Sequence, residues 1–173
     1  MKKIILVVAL IISCLSIPVY ANPKSQPIDL EQYYYSMELS NIKYFCAVNV
    51  CTDGSAAQIG LNEKELTDFL RLKYKNNISL PILPNKILEK NNDGLSITED
   101  KGEIWVTVWT IGDNYPVAYY IRMSAGNATN IHAWEQEYLG YDSKENIPNI
   151  VKTQLTNMME KFAIDFYKAR KEL

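Results

Sequence analysis

Residues 104–109 read Ile-Trp-Val-Thr-Val-Trp, and this stretch decides the fold class. Aliphatic residues alternate there with Trp and Thr, which is the two-residue period of a β-strand. The alternation predicts that Ile104, Val106 and Val108 lie on one face of a sheet and that Trp105 and Trp109 lie on the other. We expect one of these faces to meet helices, whereas the other is exposed unless loops cover it.

Two more strands are predicted directly after this one. Turn residues occur at 112–114 and again at 126–127, and they separate strands predicted over residues 116–123 and 131–139. In the last of these strands Trp134 and Tyr138 share one face, opposite Glu135 and Glu137. The sequence therefore predicts a three-strand antiparallel meander.

Two helices are predicted to cover the sheet. The first spans residues 62–75 and begins with a capping box formed by Asn62 and Glu65. Basic residues near its end, Arg71 among them, are expected to complement the helix dipole and to point to water. The second helix spans residues 145–171, with Pro148 tolerated in its first turn. Its apolar residues recur every three or four positions and form a regular stripe: Ile147, Ile150, Val151, Leu155, Met158, Met159, Phe162, Ala163 and Phe166.

The remaining elements complete an α+β fold. Residues 42–50 are largely β-branched or aromatic and predict a strand, which the turn residues 52–55 end. Residues 35–40 alternate like a strand, with a short helix as the alternative. Residues 76–101 predict a surface loop with a short edge strand near 80–83. The expected sheet is mostly antiparallel, with strand, helix and strand followed by the meander.

The amino terminus has the pattern of a secretory signal peptide. Lys2 and Lys3 precede nine apolar residues at 4–12, and residues 19–21 offer a small-x-small cleavage site after Pro18. Cleavage there predicts a mature chain that starts at Asn22 and is periplasmic or secreted. Residues 11–14 also resemble a lipoprotein box, in which Cys14 is the lipidated residue. Residues 22–173 are predicted to form one domain with a flexible lead-in at 22–28.

Charge and hydropathy limit the partners that the sequence predicts. The chain has a net charge of −2, and removal of the two leader lysines leaves −4. An acidic protein does not favour nucleic acid, whose phosphates attract a basic surface. After the leader no segment approaches the roughly 20 apolar residues that span a bilayer. We therefore expect a protein that does not bind nucleic acid and has no transmembrane segment after the leader is removed.

Cys46 and Cys51 are the cysteines that remain after the leader is removed. An even pair in an oxidising compartment predicts a disulfide. Five extended residues separate two Cα atoms by roughly 16 Å, whereas a disulfide needs less than about 7 Å. The chain must therefore bend or bulge between Cys46 and Cys51. Four intervening residues do not fit the spacing of a thiol–disulfide catalyst.

The order of elements resembles a widespread group of uncharacterised exported bacterial proteins. The resemblance covers residues 42–170 and rests on the helix start at 60–66, the strand that contains Trp134, and the helix segment at 162–167. The layout is also similar to that of small envelope-assembly accessory domains. These motifs are core and cap positions, so the resemblance implies a fold and no catalytic residue.

The sequence offers little support for an enzyme. His132 is the only histidine, and no Gly-x-Ser-x-Gly turn presents a serine to it. Glu135 and Glu137 lie about 7 Å apart on one strand face, a separation compatible with paired-carboxylate chemistry, although strand alternation explains both as solvent-facing residues. We predict no catalytic residue, no metal site and no cofactor.

The aromatic face is the remaining candidate for function. Trp105, Trp109 and Trp134 are predicted to anchor a protein or a glycan, since interfaces use aromatic residues as anchors. The favoured hypothesis is a non-enzymatic accessory or binding protein of the cell envelope. An inhibitor or immunity-type protein for an envelope enzyme is the alternative, and a hydrolase is a weaker one.

Overall fold

The computed structural model describes residues 36–83, 100–127 and 129–173. The predicted leader, the lead-in at 22–28 and residues 84–99 lie outside the described residues. The elements, in chain order, are α1 (Ser36–Ser40), β1 (Tyr44–Gly54), a 3-10 turn (Ala56–Ile59), α2 (Glu63–Asn77), β2 (Lys101–Ile111), β3 (Val117–Asn127), β4 (Trp134–Asp142) and α3 (Ile147–Ala169). This is the predicted α+β fold, with a mostly antiparallel sheet.

The four strands form one sheet in the order β1-β2-β3-β4. β2, β3 and β4 pair antiparallel and form the predicted meander, whereas β1 pairs parallel with β2. A parallel pair needs a long crossover connection, and α2 is part of that crossover. The second turn starts later than predicted, since Gly126 and Asn127 still belong to β3. Asn127 Oδ1 accepts hydrogen bonds from the backbone N–H groups of Thr129 and Asn130 and thereby starts the turn.

The two faces of the sheet differ as the alternation in β2 predicts. Ile104, Val106 and Val108 are buried, whereas Trp105 and Trp109 are exposed. The helices pack on the buried face: α3 contacts β3 and β4, α2 contacts β1 and α3, and α1 contacts α3 and β3. We call the helix-covered side the inner face and the side that bears Trp105 and Trp109 the outer face.

Both long helices begin and pack as their patterns predict. Asn62 Oδ1 accepts a hydrogen bond from the backbone N–H of Glu65 at 3.0 Å and caps α2. Pro148 lies in the first turn of α3. Most of the predicted stripe of α3 is fully buried, and Phe162 contacts the rings of Phe45 and Trp134 with centroid separations of 6.2 and 5.2 Å. α3 is thus the main cover of the sheet.

Two short elements differ from their first interpretation. Residues 36–40 form a helix, the alternative prediction, because α1 packs on α3 and β3 and does not join the sheet. Tertiary packing decides between helix and strand in so short a segment. The edge strand near 80–83 is reduced to a single bridge between Phe45 and Ile82.

Candidate docking surface

The outer face consists of side chains in cross-strand rows. One row joins Trp109 of β2, Tyr120 of β3 and Leu139 of β4. The next row joins Thr107, Arg122 and Glu137, and the row after it joins Trp105, Ser124 and Glu135. Because strand residues two apart share a face, the row with Trp109 and Leu139 lies towards one end of the sheet, and the row with Arg122 and Glu137 separates it from Trp105. The face is therefore amphipathic along the strands.

The apolar part of the outer face is open to solvent. Trp105 is 39% exposed, Trp109 43%, Leu139 52% and Ile111 53%. Tyr141 extends this patch, since it belongs to the row that contains Ile111. No described helix lies on this side of the sheet. Trp109, Ile111, Leu139 and Tyr141 lie in adjacent rows, and such a set of exposed large apolar residues marks an interaction site more often than a bare monomer surface.

The two outer tryptophans have different neighbours. Trp105 Nε1 donates a hydrogen bond to Glu103 Oε2 at 2.9 Å, which fixes the indole along its own strand. Trp109 lies over the end of β1, where a Cβ on Gly54 would come within 3.2 Å of Trp109 Nε1 and within 2.0 Å of the Thr110 carbonyl oxygen. Gly54 has a φ of +68°, a conformation that glycine adopts without strain. Glycine at this position therefore lets Trp109 lie close to the neighbouring strand.

The charged part of the outer face is a connected network around Arg122. Arg122 Nη2 donates to Glu135 Oε2 at 2.8 Å, and Arg122 Nε lies 3.5 Å from Glu137 Oε1. The hydroxyl of Tyr120 donates to the same Glu137 oxygen. His132 Nδ1 lies 3.3 Å from Glu135 Oε2. One guanidinium thus lies against two carboxylates.

Two of the network groups have pKa values that differ from their usual ones. Burial raises the pKa of Tyr120 to about 12, and the hydrogen bond to Glu137 adds to the effect. The hydrogen bond to Glu135 raises the pKa of Arg122, although desolvation opposes it. Tyr120 is therefore a protonated donor and Arg122 a cation throughout the physiological pH range. Neither Tyr120 nor Arg122 therefore changes its charge within this pH range.

The residues considered for catalysis lie within this same network. His132 has one carboxylate partner in Glu135, as a base in a hydrolase would, but that carboxylate also binds Arg122. Glu135 and Glu137 lie on the outer face, as the alternation predicts, and Arg122 lies between them. Paired-carboxylate chemistry needs two carboxyl groups that face one substrate, whereas here Arg122 lies between the two and contacts both. Among the described residues no group of His, Cys, Asp and Glu has the arrangement of a metal site.

The prediction that Trp134 belongs to the docking surface does not agree with the structure. Trp134 is on the inner face and is 2% exposed. Its ring packs against Phe162, and its Nε1 donates to Asp165 Oδ2 of α3 at 3.0 Å. Strand alternation correctly groups Trp134 with Tyr138, but the helices cover the face on which both lie. Trp134 is a core residue, and it fixes α3 to β4.

The structure also differs from the expected disulfide. Cys46 and Cys51 are both free thiols on β1, which continues from Tyr44 to Gly54 as one strand. A register shift at Phe45 and Ala47 leaves Cys46 as a bulge, but β1 then pairs regularly with β2. Cys46 Sγ lies 3.2 Å from Glu103 Oε1 and 3.4 Å from the Gly102 carbonyl oxygen. A Cys46–Cys51 bond would therefore require the β1–β2 ladder to open.

The two thiols are expected to react at different rates in the folded protein. Burial, followed by the hydrogen bond to Glu103, raises the pKa of Cys46 to about 12. The thiolate is the nucleophile, and its fraction at pH 8 is then on the order of 10⁻⁴. Cys51 is exposed. A maleimide should label Cys51 first and Cys46 at least about tenfold more slowly, as measured by mass spectrometry over time.

Denaturation supplies the control for this labelling. In denaturant without reductant, both thiols should react at similar rates, because unfolding removes the burial and Glu103 from Cys46. Absence of labelling at both cysteines in that sample would instead demonstrate the Cys46–Cys51 bond and contradict the free thiols of the structure.

Sequence reasoning missed several residues of the outer face. Arg122 and Tyr120 lie in β3 at positions of one parity, and the register of the meander places them beside Glu137. A register drawn from the two turns could have found this cluster, since residues directly opposite on antiparallel strands share a face. The predicted second turn, at residues 126–127, starts too early to give the correct register, because Gly126 and Asn127 still belong to β3.

No helix among the described residues is long and apolar enough to cross a membrane.

Comparison with known proteins identifies no family for this chain. No protein-family model matches it, and no curated protein matches its sequence. The solved structures similar to this chain include two of the PelC dodecamer from Paraburkholderia phytofirmans, one of them a point variant. The variant is 4% identical with a TM-score of 0.41, covering 70% of this chain and 87% of that one. The other is 6% identical with a TM-score of 0.39, covering 70% and 88%. A likeness at this level assigns neither fold nor function.

Proposed function

We propose that this chain is an exported accessory protein of the bacterial cell envelope that binds a protein partner through the outer face of its sheet. It acts without catalysis. The observation that carries the proposal is the exposure of Trp105 and Trp109, at 39% and 43%, on a face where the described helices do not pack. Tryptophan is enriched among the residues that dominate binding energy at protein interfaces.

Electrostatics favours the same use of the surface. Burying an unpaired charge opposes binding, but Arg122 already pairs with Glu135 and lies near Glu137. A partner can therefore cover the network without separating its charges. The apolar row of Trp109, Tyr120 and Leu139 lies directly beside it. The proposed interface therefore combines an apolar row with an adjacent row of paired charges.

The amino terminus supports the location. Basic residues, an apolar stretch and a small-x-small site are typical of a cleaved secretory leader. If Cys14 is lipidated instead, the protein has the same docking surface but is anchored to the membrane by its lipid.

Substitution of Trp109 tests the docking role directly. The full chain is expressed with a carboxyl-terminal tag in its native envelope, and co-purified proteins are identified by mass spectrometry. Trp109→Ser should abolish recovery of the partner and leave the melting temperature within about 2 °C, because the side chain already lies partly in water. Leu72→Ser on α2 is the matched control, since Leu72 is 56% exposed and lies outside the outer face.

The opposite result decides against this function. If Trp109→Ser lowers the melting temperature and retains the partner, the tryptophan is structural and the outer face is not the docking surface. Recovery of a glycan would mean that the partner is a glycan and not a protein. Recovery of an enzyme whose activity the chain blocks would make the protein an inhibitor.

A further inference from the structure

The two edges of the sheet differ, and α2 closes the β1 edge. Three side chains of α2 hydrogen-bond to the outer backbone groups of β1. Arg71 Nε donates to the Val48 carbonyl at 3.0 Å, Thr67 Oγ1 accepts from the Val50 N–H at 3.0 Å, and Glu63 Oε2 accepts from the Thr52 N–H at 3.2 Å. Arg71 thus binds the strand, whereas the sequence predicted that it points to water.

The spacing of these contacts follows from helix and strand geometry. Glu63, Thr67 and Arg71 are four residues apart and form one stripe on α2, with a rise of about 6 Å per step. Their backbone partners are two residues apart on β1, a rise of about 6.6 Å. At the start of the strand the Phe45 N–H donates to the Pro81 carbonyl, and the Phe45 carbonyl accepts from the Leu83 N–H. The β1 edge is therefore occupied from Phe45 to Thr52.

The β4 edge has no equivalent cover. Across residues 36–83, 100–127 and 129–173, the strand that pairs with β4 is β3, on one side only. β4 is nine residues long and contains no lysine or proline, and its charged residues are the acidic Glu135, Glu137 and Asp142. Leu139 and Tyr141 are exposed on its outer face. Such an edge accepts another strand through backbone hydrogen bonds.

We infer that β4 pairs with β4 of a second copy of this chain, antiparallel, about a two-fold axis at Leu139. This inference is independent of the proposed function. A two-fold axis normal to the sheet keeps both outer faces on one side and places residues of the same parity opposite each other. Leu139 then faces Leu139 of the other copy, Glu137 faces Tyr141, and Glu135 faces Ser143.

This register matches the chemistry of the facing residues. An apolar residue meets an apolar one, and each glutamate meets a hydroxyl. Like charges directly opposite each other would destabilise the strand pair, and this register contains none. Arg122 of the same subunit contacts both glutamates and offsets one of their two negative charges. The outer edge of β4 is thus complementary to itself.

The occupied β1 edge limits assembly to two chains. A head-to-tail pairing would need two open edges on each subunit and would extend without limit. Here each subunit offers β4 alone among its described edges, so the pairing closes at an eight-strand sheet with α2 at both ends. The outer faces of the two subunits then form one continuous surface.

Introduction of a charge at the two-fold axis tests this dimer. The molar mass of the full chain is measured by light scattering during size-exclusion chromatography at increasing concentration. The wild-type protein should have twice the mass of one chain. Leu139→Lys and Leu139→Glu should each raise the dimer dissociation constant at least tenfold, because each substitution places like charges opposite each other. An equimolar mixture of the two variants should recover the dimer mass.

Ile111→Lys is the matched control, since Ile111 is 53% exposed on the outer face, like Leu139 at 52%, but lies on the interior strand β2. Ile111→Lys should remain a dimer, and circular dichroism should show all three variants folded. A wild-type mass of one chain at high concentration would overturn the inference. So would a dimer that withstands both Leu139 substitutions, or a mixture of the two that stays monomeric.

Discussion

Replacement of Phe162 by aspartate is expected to unfold the protein, with a loss of about 4 kcal/mol or more in the free energy of unfolding. Phe162 is fully buried in α3 and contacts the rings of Phe45, Trp134 and Phe166. The substitution removes a large ring and places a charge where no water reaches it. A domain of ordinary stability has only about 5–15 kcal/mol in total. Urea denaturation followed by circular dichroism measures the change.

Ile164→Asp is the matched control for this substitution. Ile164 lies two residues further along α3 and is 48% exposed, so its side chain is on the opposite side of the helix stripe. We expect Ile164→Asp to change the free energy of unfolding by less than about 1 kcal/mol. Equal effects of the two substitutions would mean that α3 does not cover the sheet through the Phe162 side.

Substitution of Trp134 by alanine is expected to cost about 3–5 kcal/mol, comparable to other large aromatic deletions in protein cores. The indole is buried against Phe162, so its loss leaves a cavity. The same change removes the donor to Asp165 Oδ2 and leaves a buried acceptor unpaired, which costs a further 1–3 kcal/mol or so. Thermal and urea unfolding both measure the loss.

Trp134→Phe separates the two contributions. Phenylalanine keeps an aromatic ring against Phe162 but cannot donate to Asp165, so it should lose less stability than alanine. Trp109→Ser on the outer face should lose little on the same scale. A Trp134→Ala variant as stable as the wild type would contradict the assignment of Trp134 to the core.

The alternation of residues in β2 and β4 was sufficient to predict which side chains share a face, and it did so correctly for Trp105, Trp109 and Trp134. It could not predict which face of β4 the helices cover. A two-residue period defines two faces and does not rank them, so Trp134 was grouped with the exposed tryptophans. Asp165 does indicate the covered face, since a carboxylate within the apolar stripe of α3 requires a buried donor.

The predicted helix of residues 62–75 was correct in position but not in the role of its polar residues. Helix dipole arguments explain cations near a helix end without reference to tertiary contacts. The four-residue spacing of Glu63, Thr67 and Arg71 contained the further information that one polar stripe faces one neighbour. Because that neighbour is a strand edge supplied by residues 48–52, the contact could be found only once the parallel pairing of β1 was known.

The alternation in β2 also limits how this protein can evolve. Residues of the core and of the outer face share one strand and differ only in parity, so insertion of a single residue between Ile104 and Trp109 would turn every following side chain to the opposite face. Indoles would then enter the core, and aliphatic side chains would enter water. Side chains of the outer face can therefore be replaced without changing the core, whereas a one-residue change in the length of β2 needs a β-bulge to absorb it, as the bulge at Cys46 does in β1.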